Sequence, residues 1–210
     1  LSETRELPLL IVLGLPLSFS GKLYNSAAVL HRGRVLGLVP KKNLPNYSEF
    51  YERRWFSPAE DEIFEYLYRD PLTKDCSSLP FGMRILFQAE DLPDFCLALE
   101  LCEDLWVPNP PSTEHAAAGA YLIANCSASD ETVGKADYRR ELLRSASARI
   151  CAAYLYANAG EGESTQDLVF GGQSMIAENG SILAESRRFT TGLTISEIDL
   201  ERIRQERTRL

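Results

Sequence analysis

The chain has 210 residues, 45% of them hydrophobic, with 22 lysines and arginines against 30 aspartates and glutamates and a formal net charge of −8. That length supports one substantial core without requiring two full domains, and the charge disfavours electrostatic docking on nucleic acid or on an anionic membrane. A protein that acts on small molecules fits better.

The first apolar run, Leu7 to Leu17, is broken by Gly14 and Pro16 and falls well short of the roughly 20 residues of a membrane span. Within it, Leu9 to Leu13 predicts a buried strand stopped by glycine and proline. The stretch YNSAAVLHRGRVLGLVPK predicts a hairpin around His31-Arg32-Gly33-Arg34, whose second strand delivers Lys41 at its end. A polar loop with Pro45, Tyr47 and Pro58 follows, and Glu60-Asp61-Glu62 reads as a solvated helix start. Two further strands are expected at Arg84 to Gln88 and Phe95 to Leu101.

Ser112 is the expected N-cap of a helix with Glu114 in its first turn and Gly119 at its end. AYLIAN then reads as a strand, Tyr138 to Ala153 as a helix, and AYLYANAG as a strand. Asn179-Gly180 marks the turn of a last hairpin. The charged tail from Ser196 to Leu210 predicts a helix with Ile198, Ile203 and Leu210 on one face. Strands alternating with helices and interrupted by hairpins indicate an α/β protein with two mixed sheets.

The five cysteines, Cys76, Cys96, Cys102, Cys126 and Cys151, form no C-x-x-C pair, and His31 and His115 have no partner at ligand spacing. This pattern predicts reduced, cytoplasmic usage and no metal site in this segment. Cys126 and Cys151 read as core. Cys102 admits two readings: a small buried hydrophobe, or a nucleophile at a strand end followed by Glu103, Asp104 and a proline-rich turn. A thiol nucleophile needs a base or a nearby cation, which Lys41 could supply.

Five stretches, PKKNLPNYSEFYE, CEDLWVP, RSASARICAAY, GEGEST and GQSMIAENG, resemble the nitrilase superfamily, and within it the glutaminase domains of glutamine-dependent NAD+ synthetases. The resemblance runs from the strand at Leu9 to the tail. It implies an α-β-β-α sandwich of two mixed sheets, with residues 1–210 as one partial glutamine amidohydrolase domain. Cys102 would be the nucleophile; Lys41, with the backbone N–H of Glu103, would hold the oxyanion; and Glu52 would be the second, structural glutamate beside the active triad. Tyr47 and Ser129 fall where the family contacts glutamine. Lys135 stands where this branch places an arginine near the substrate carboxylate, retaining charge without the bidentate fork. The triad's general-base glutamate is expected before Leu1, because Glu3 and Glu6 do not match its motif. The resemblance implies no cofactor for this domain, and a synthetase segment after Leu210 that uses ATP and Mg to amidate deamido-NAD+. A homo-oligomer is the expected assembly. Two rivals remain at the level of sequence: a stand-alone amidase of ω-amidase or carbamoylase type, and a catalytically incomplete assembly module.

Overall fold

The computed structural model describes residues 1–70, 73–163 and 167–209 and divides into two compact units, Leu1–Ile85 and Leu86–Leu210. In the first unit five strands, β1 (Leu10–Phe19), β2 (Lys22–His31), β3 (Arg34–Pro40), β4 (Phe64–Arg69) and β5 (Cys76–Phe81), form a sheet of order β1-β2-β3-β5-β4. All pairs are antiparallel except β3 with β5.

The hairpin expected at His31 to Arg34 is present, with Arg32 at φ 46° and Gly33 at φ 76°, the double left-handed signature of a two-residue turn. The strand expected at Leu9 to Leu13 instead runs to Phe19 and is half-buried to exposed. Pro16 does not end it, because β1 is an edge strand. Pro16 pairs with Asn25, whose carbonyl is committed to the Lys41 N–H on the other side, so the missing proline N–H breaks no ladder bond.

The β4–β5 hairpin was not anticipated. FEYLYR alternates, and Phe64, Tyr66 and Tyr68 lie against a core of Tyr24, Ala28, Leu38, Leu79 and Phe81, with the Phe81 ring 4.8 Å from that of Phe19 and 5.1 Å from that of Tyr24. No helix starts at Glu60-Asp61-Glu62. Glu60 and Asp61 are drawn to Lys22 and Lys42 at 2.9 and 3.0 Å, and the chain enters β4 directly.

The second unit holds β6 (Phe87–Gln88), β7 (Cys96–Leu101), β8 (Leu122–Ser127), β9 (Ala153–Asn158), β10 (Met175–Glu178) and β11 (Ser181–Glu185), ordered β11-β10-β9-β8-β7-β6. Strands β7, β8 and β9 are mutually parallel and the others antiparallel, so both sheets are mixed, as expected. β6 is shorter than Arg84 to Gln88, because only Phe87 and Gln88 find partners on β7. The hairpin at Asn179-Gly180 is present.

Among the described residues three helices complete the unit: α1 (Pro111–Ala117), α2 (Lys135–Ile150) and α3 (Leu200–Arg209). α2 starts three residues before the expected Tyr138 and stops at Cys151, which adopts φ 46° and frees Ala153 for β9. Its Leu143, Ala146 and Ile150 pack with Ala98, Ile123, Tyr154 and Met175 in one buried cluster. The α2 terminus is capped from a distance, since the Arg207 guanidinium of α3 donates to the carbonyls of Cys151 at 2.8 Å and Ile150 at 3.1 Å.

Ser112 is not a cap. Pro110 occupies the N-cap and Pro111 the first helical position, where a missing N–H is harmless. Ile198 lies outside α3, because the Asp199 side chain accepts the Arg202 N–H at 2.9 Å and sets the start of the helix. Ile203 is buried as expected, and Leu210 lies outside the described residues. Cys151 is in the core, whereas Cys126 is only half-buried. Among the described residues no helix is long and apolar enough to cross a membrane.

Leu143 is fully buried within this cluster. Leu143→Ala should destabilise the protein by about 2–5 kcal/mol, read as a fall in the urea midpoint with an unchanged denaturant slope.

Candidate active site

In the first unit Lys41 follows β3 directly and is 2% exposed. Its Nζ donates to Glu52 Oε2 at 2.5 Å, and Glu52 Oε1 accepts from Asn25 Nδ2 at 2.5 Å. The main chain is held equally firmly, because Lys41 N–H donates to the Asn25 carbonyl and its own carbonyl accepts from Ala59 N–H, both at 2.8 Å. Glu52 opens a short 3-10 turn, Glu52–Arg54, and its N–H donates to the Pro45 carbonyl. The loop therefore carries a carboxylate back to the strand-end lysine. Sequence reasoning named both partners of this pair and missed Asn25, the third member. Tyr47, on the same loop, is exposed and packs edge-on against Phe50 at 6.0 Å.

In the second unit Cys102 follows the last residue of β7 and begins a 3-10 turn, Cys102–Leu105. It is half-buried and adopts φ 46°, a left-handed conformation that carries a steric penalty for any residue with a Cβ. Two bonds hold the bend. Cys102 N–H donates to Asn125 Oδ1 at 2.8 Å, and Asp104 Oδ2 accepts the Leu101 N–H at 3.0 Å. Glu103 is half-buried, and its carbonyl accepts from Trp106 N–H at 2.9 Å.

Beneath the bend lie three polar side chains with at most 1% exposure: Glu100, Asn125 and Tyr154. Asn125 Nδ2 donates to the Tyr154 hydroxyl at 3.0 Å, and that hydroxyl donates to Glu100 Oε1. Glu100 Oε2 accepts the Ser112 N–H at 2.8 Å, so a carboxylate from β7 satisfies the N-terminus of α1 that Ser112 was expected to cap. Burial pushes the Glu100 carboxyl up to about 7 and outweighs these stabilising bonds, with nearby Asp104 pushing the same way. The Tyr154 hydroxyl is raised well above its usual range by burial and by Glu100.

Ser129 and Lys135 are drawn into one polar cluster. Lys135 Nζ bonds to Asp130 and lies 5.6 Å from the centroid of the Trp106 ring. Arg139, one turn along α2 and fully buried, donates to Ser129 Oγ at 3.2 Å, to the Asp130 carbonyl at 2.8 Å and to Glu131 at 2.7 Å. Asn158 clamps the Ser129 backbone, accepting its N–H at 2.8 Å and donating to its carbonyl at 3.1 Å. Sequence reasoning looked for an arginine at the position of Lys135 and overlooked the buried one four residues later. Asn125, Tyr154 and Glu100 were missed as well, although a polar residue inside an apolar strand run is itself a signal.

Lys41, Tyr47 and Glu52 thus belong to the first unit, and Cys102, Glu103, Ser129 and Lys135 to the second. Each group is fixed within its own unit by bonds to neighbouring strands and turns. Among the described residues no group of three or more histidine, cysteine, aspartate or glutamate side chains is arranged to hold a metal ion.

Two outcomes follow from the buried charges. Glu52→Ala leaves the Lys41 ammonium buried without the Glu52 carboxylate and should cost about 3–5 kcal/mol, whereas Glu60→Ala, which breaks a half-exposed, solvent-screened pair, should cost far less. Chemical denaturation of the two variants measures the difference. Glu100 binds its proton more tightly in the folded state than in the unfolded chain, where the ordinary value is 4.5. Its contribution to stability is fully present below that value and is lost as pH rises through about 7. The wild-type melting temperature should therefore fall, relative to that of Glu100→Gln, between about pH 5 and pH 8.

The sequence profile of the carbon-nitrogen hydrolase family matches residues 2–208. The glutamine-dependent NAD(+) synthetase of Mycobacterium tuberculosis is 50% identical over 211 aligned residues, covering 100% of this chain and 30% of that protein. Among solved structures, a glutamine-dependent NAD(+) synthetase from Cytophaga hutchinsonii matches with TM-score 0.73 and 30% identity, over 86% of this chain and 28% of that one. Nit3 of Saccharomyces cerevisiae, a nitrilase-superfamily member, shares the fold with TM-score 0.75 at 17% identity, over 100% of this chain and 66% of that one. The chain spans about 30% of the length of the mycobacterial relatives that it matches. With a family profile over almost all of its residues and an α/β fold of two mixed sheets shared with nitrilase-superfamily structures, the chain belongs to the carbon-nitrogen hydrolase family.

Proposed function

We propose that residues 1–210 are the glutamine-hydrolysing part of a glutamine-dependent NAD+ synthetase, with Cys102 as the nucleophile. The observation that carries this reading is the conformation of Cys102: a left-handed residue at the end of a parallel strand, braced through its own N–H by a buried amide. The core residue Cys151 is left-handed too, where it ends a helix; Cys102 differs in standing half-buried at a strand end, where a strained strand-to-turn bend projects a nucleophile away from the sheet. The high identity to proteins named for glutamine-dependent NAD+ synthesis supplies the substrate class.

In the proposed reaction the Cys102 thiolate adds to the γ-carboxamide carbon of glutamine. The negative charge gathers on the carbonyl oxygen, where Lys41 and the backbone N–H of Glu103 stabilise it. The C–N bond then breaks, and ammonia leaves with a proton delivered by the triad's general-base glutamate, which is not assigned to any of these residues. Water next attacks the γ-glutamyl thioester, releasing glutamate and restoring the thiol. Glu52 and Asn25 hold the Lys41 ammonium in place, while Tyr47, Ser129 and Lys135 serve glutamine binding. Because Asp130 balances the Lys135 charge, that lysine attracts a carboxylate less strongly than its formal charge suggests. The ammonia is used in an ATP- and Mg-dependent amidation of deamido-NAD+, carried out by a segment outside these residues. The setting is cytoplasmic, in keeping with five free cysteines. A homo-oligomer is the assembly that the family resemblance implies.

The test is release of ammonia and glutamate from glutamine by the full-length protein. Cys102→Ala should abolish it, a loss of about 10³-fold or more, and Lys41→Met should lower kcat by about 10²–10³-fold. Glutamine hydrolysis retained in a folded Cys102→Ala protein would overturn the reading.

A further inference from the structure

Glu100, Asn125 and Tyr154 come from the three adjacent parallel strands β7, β8 and β9. Glu100 is the register partner of Asn125, and Tyr154 lies two residues before Tyr156, the partner of Asn125 on the other side. All three side chains therefore share one face of the sheet, and none has water to fall back on.

When Glu100 is ionised, their donors and acceptors can be arranged in only one consistent way. An ionised Glu100 is acceptor-only; one of its oxygens takes the Ser112 N–H and the other takes the Tyr154 proton. With its proton spent on Glu100, the Tyr154 oxygen can only accept from Asn125, and so it fixes the amide with Nδ2 toward Tyr154 and Oδ1 toward Cys102. The Cys102 N–H then meets an acceptor at 2.8 Å. In the flipped amide, donor would face donor at Cys102 and acceptor would face acceptor at Tyr154, and the left-handed bend at Cys102 would lose its brace.

We infer that Glu100, Tyr154 and Asn125 form a relay of positioning residues that sets the orientation of the Asn125 amide, holds Cys102 in its left-handed conformation and so fixes the direction from which its sulfur approaches the substrate. The relay rests on the reading of Cys102 as nucleophile. None of its three side chains is assigned to touch the reacting atoms; they act through the Cys102 backbone.

The test compares Asn125→Ala, Tyr154→Phe and Asn125→Asp with wild type in the full-length protein, measuring kcat and KM for glutamine well below each melting temperature. Alkylation of the Cys102 peptide by iodoacetamide is followed alongside. Misdirection of the sulfur by about 1 Å should lower kcat by about 10–100-fold in Asn125→Ala and in Tyr154→Phe, with KM within about twofold of wild type. Tyr154→Phe is the telling variant, since it never touches Cys102. Alkylation, which makes little demand on direction, should stay within about threefold of wild type. Asn125→Asp keeps an acceptor for the Cys102 N–H and should restore kcat to well above that of Asn125→Ala. A purely structural role would lower the melting temperatures and leave kcat unchanged. Wild-type kcat in folded Asn125→Ala and Tyr154→Phe overturns the relay, as does an alkylation rate that falls in step with kcat. If either of those variants does not fold, Asn125→Asp decides in its place: the isosteric change swaps the amide donor for a carboxyl, and kcat, KM and alkylation all equal to wild type overturn the relay. Cys102→Ala, included as a control, keeps the two claims apart. If it still hydrolyses glutamine, the nucleophile assignment fails and the relay with it; if it is inactive while the relay variants turn over normally, only the relay fails.

Discussion

A carboxylate buried in a parallel sheet is tolerated only when its lone pairs are met by donors, because an unpaired charge there costs several kcal/mol. Glu100 meets that constraint by reaching in two directions, to the first turn of α1 and to the hydroxyl of Tyr154. The first bond replaces a helix cap; the second sets the polarity of the bonds that end at Cys102. One buried acid therefore ties the start of a helix, two neighbouring strands and the bend after β7 into a single arrangement. The apolar cluster around Leu143 and Ile123 stabilises the unit, but it does not select the conformation of Cys102.

The first unit solves a related problem by different means. Lys41 is an ammonium with almost no exposure, and the Glu52 carboxylate that holds it is itself held by the Asn25 amide. A cation fixed in this way keeps its position without reorganisation as charge develops nearby, which is the condition for electrostatic stabilisation of an oxyanion. In both units the side chains nearest the proposed chemistry are braced by others of fixed hydrogen-bonding polarity, Asn25 with Glu52 in one and Tyr154 with Glu100 in the other. Rigid supporting shells of this kind are what an attack of defined geometry requires.

Much of this was legible in the sequence, and the exceptions have physical reasons. Asn179-Gly180 and Arg32-Gly33 announce their hairpins because few residues accept positive φ in succession. Lys41 and Cys102 could be singled out because each stands at the end of an apolar run. The extent of β1 was misjudged because Pro16 looks like a strand stop, and only the neighbouring strand reveals that its pair is not hydrogen-bonded. FEYLYR alternates plainly, but it follows an acidic run that also suits a helix start. The conformation of Cys102 left no trace at all, since a left-handed cysteine is dictated by the surrounding bonds and not by local preference. Glu100, Asn125 and Tyr154 each look like a minor blemish in a strand, and only the register of β7, β8 and β9 brings them together.

The central claim is that Cys102 forms a covalent bond to the glutamyl group of glutamine. The most direct measurement is intact and peptide mass spectrometry of the full-length protein, quenched in acid during steady-state turnover of glutamine. The account predicts a γ-glutamyl mass increment on the peptide that contains Cys102, labile to hydroxylamine as a thioester should be and absent without glutamine. Glutamine turnover with the increment on another residue would contradict it, as would a burst of ammonia with no covalent species at Cys102.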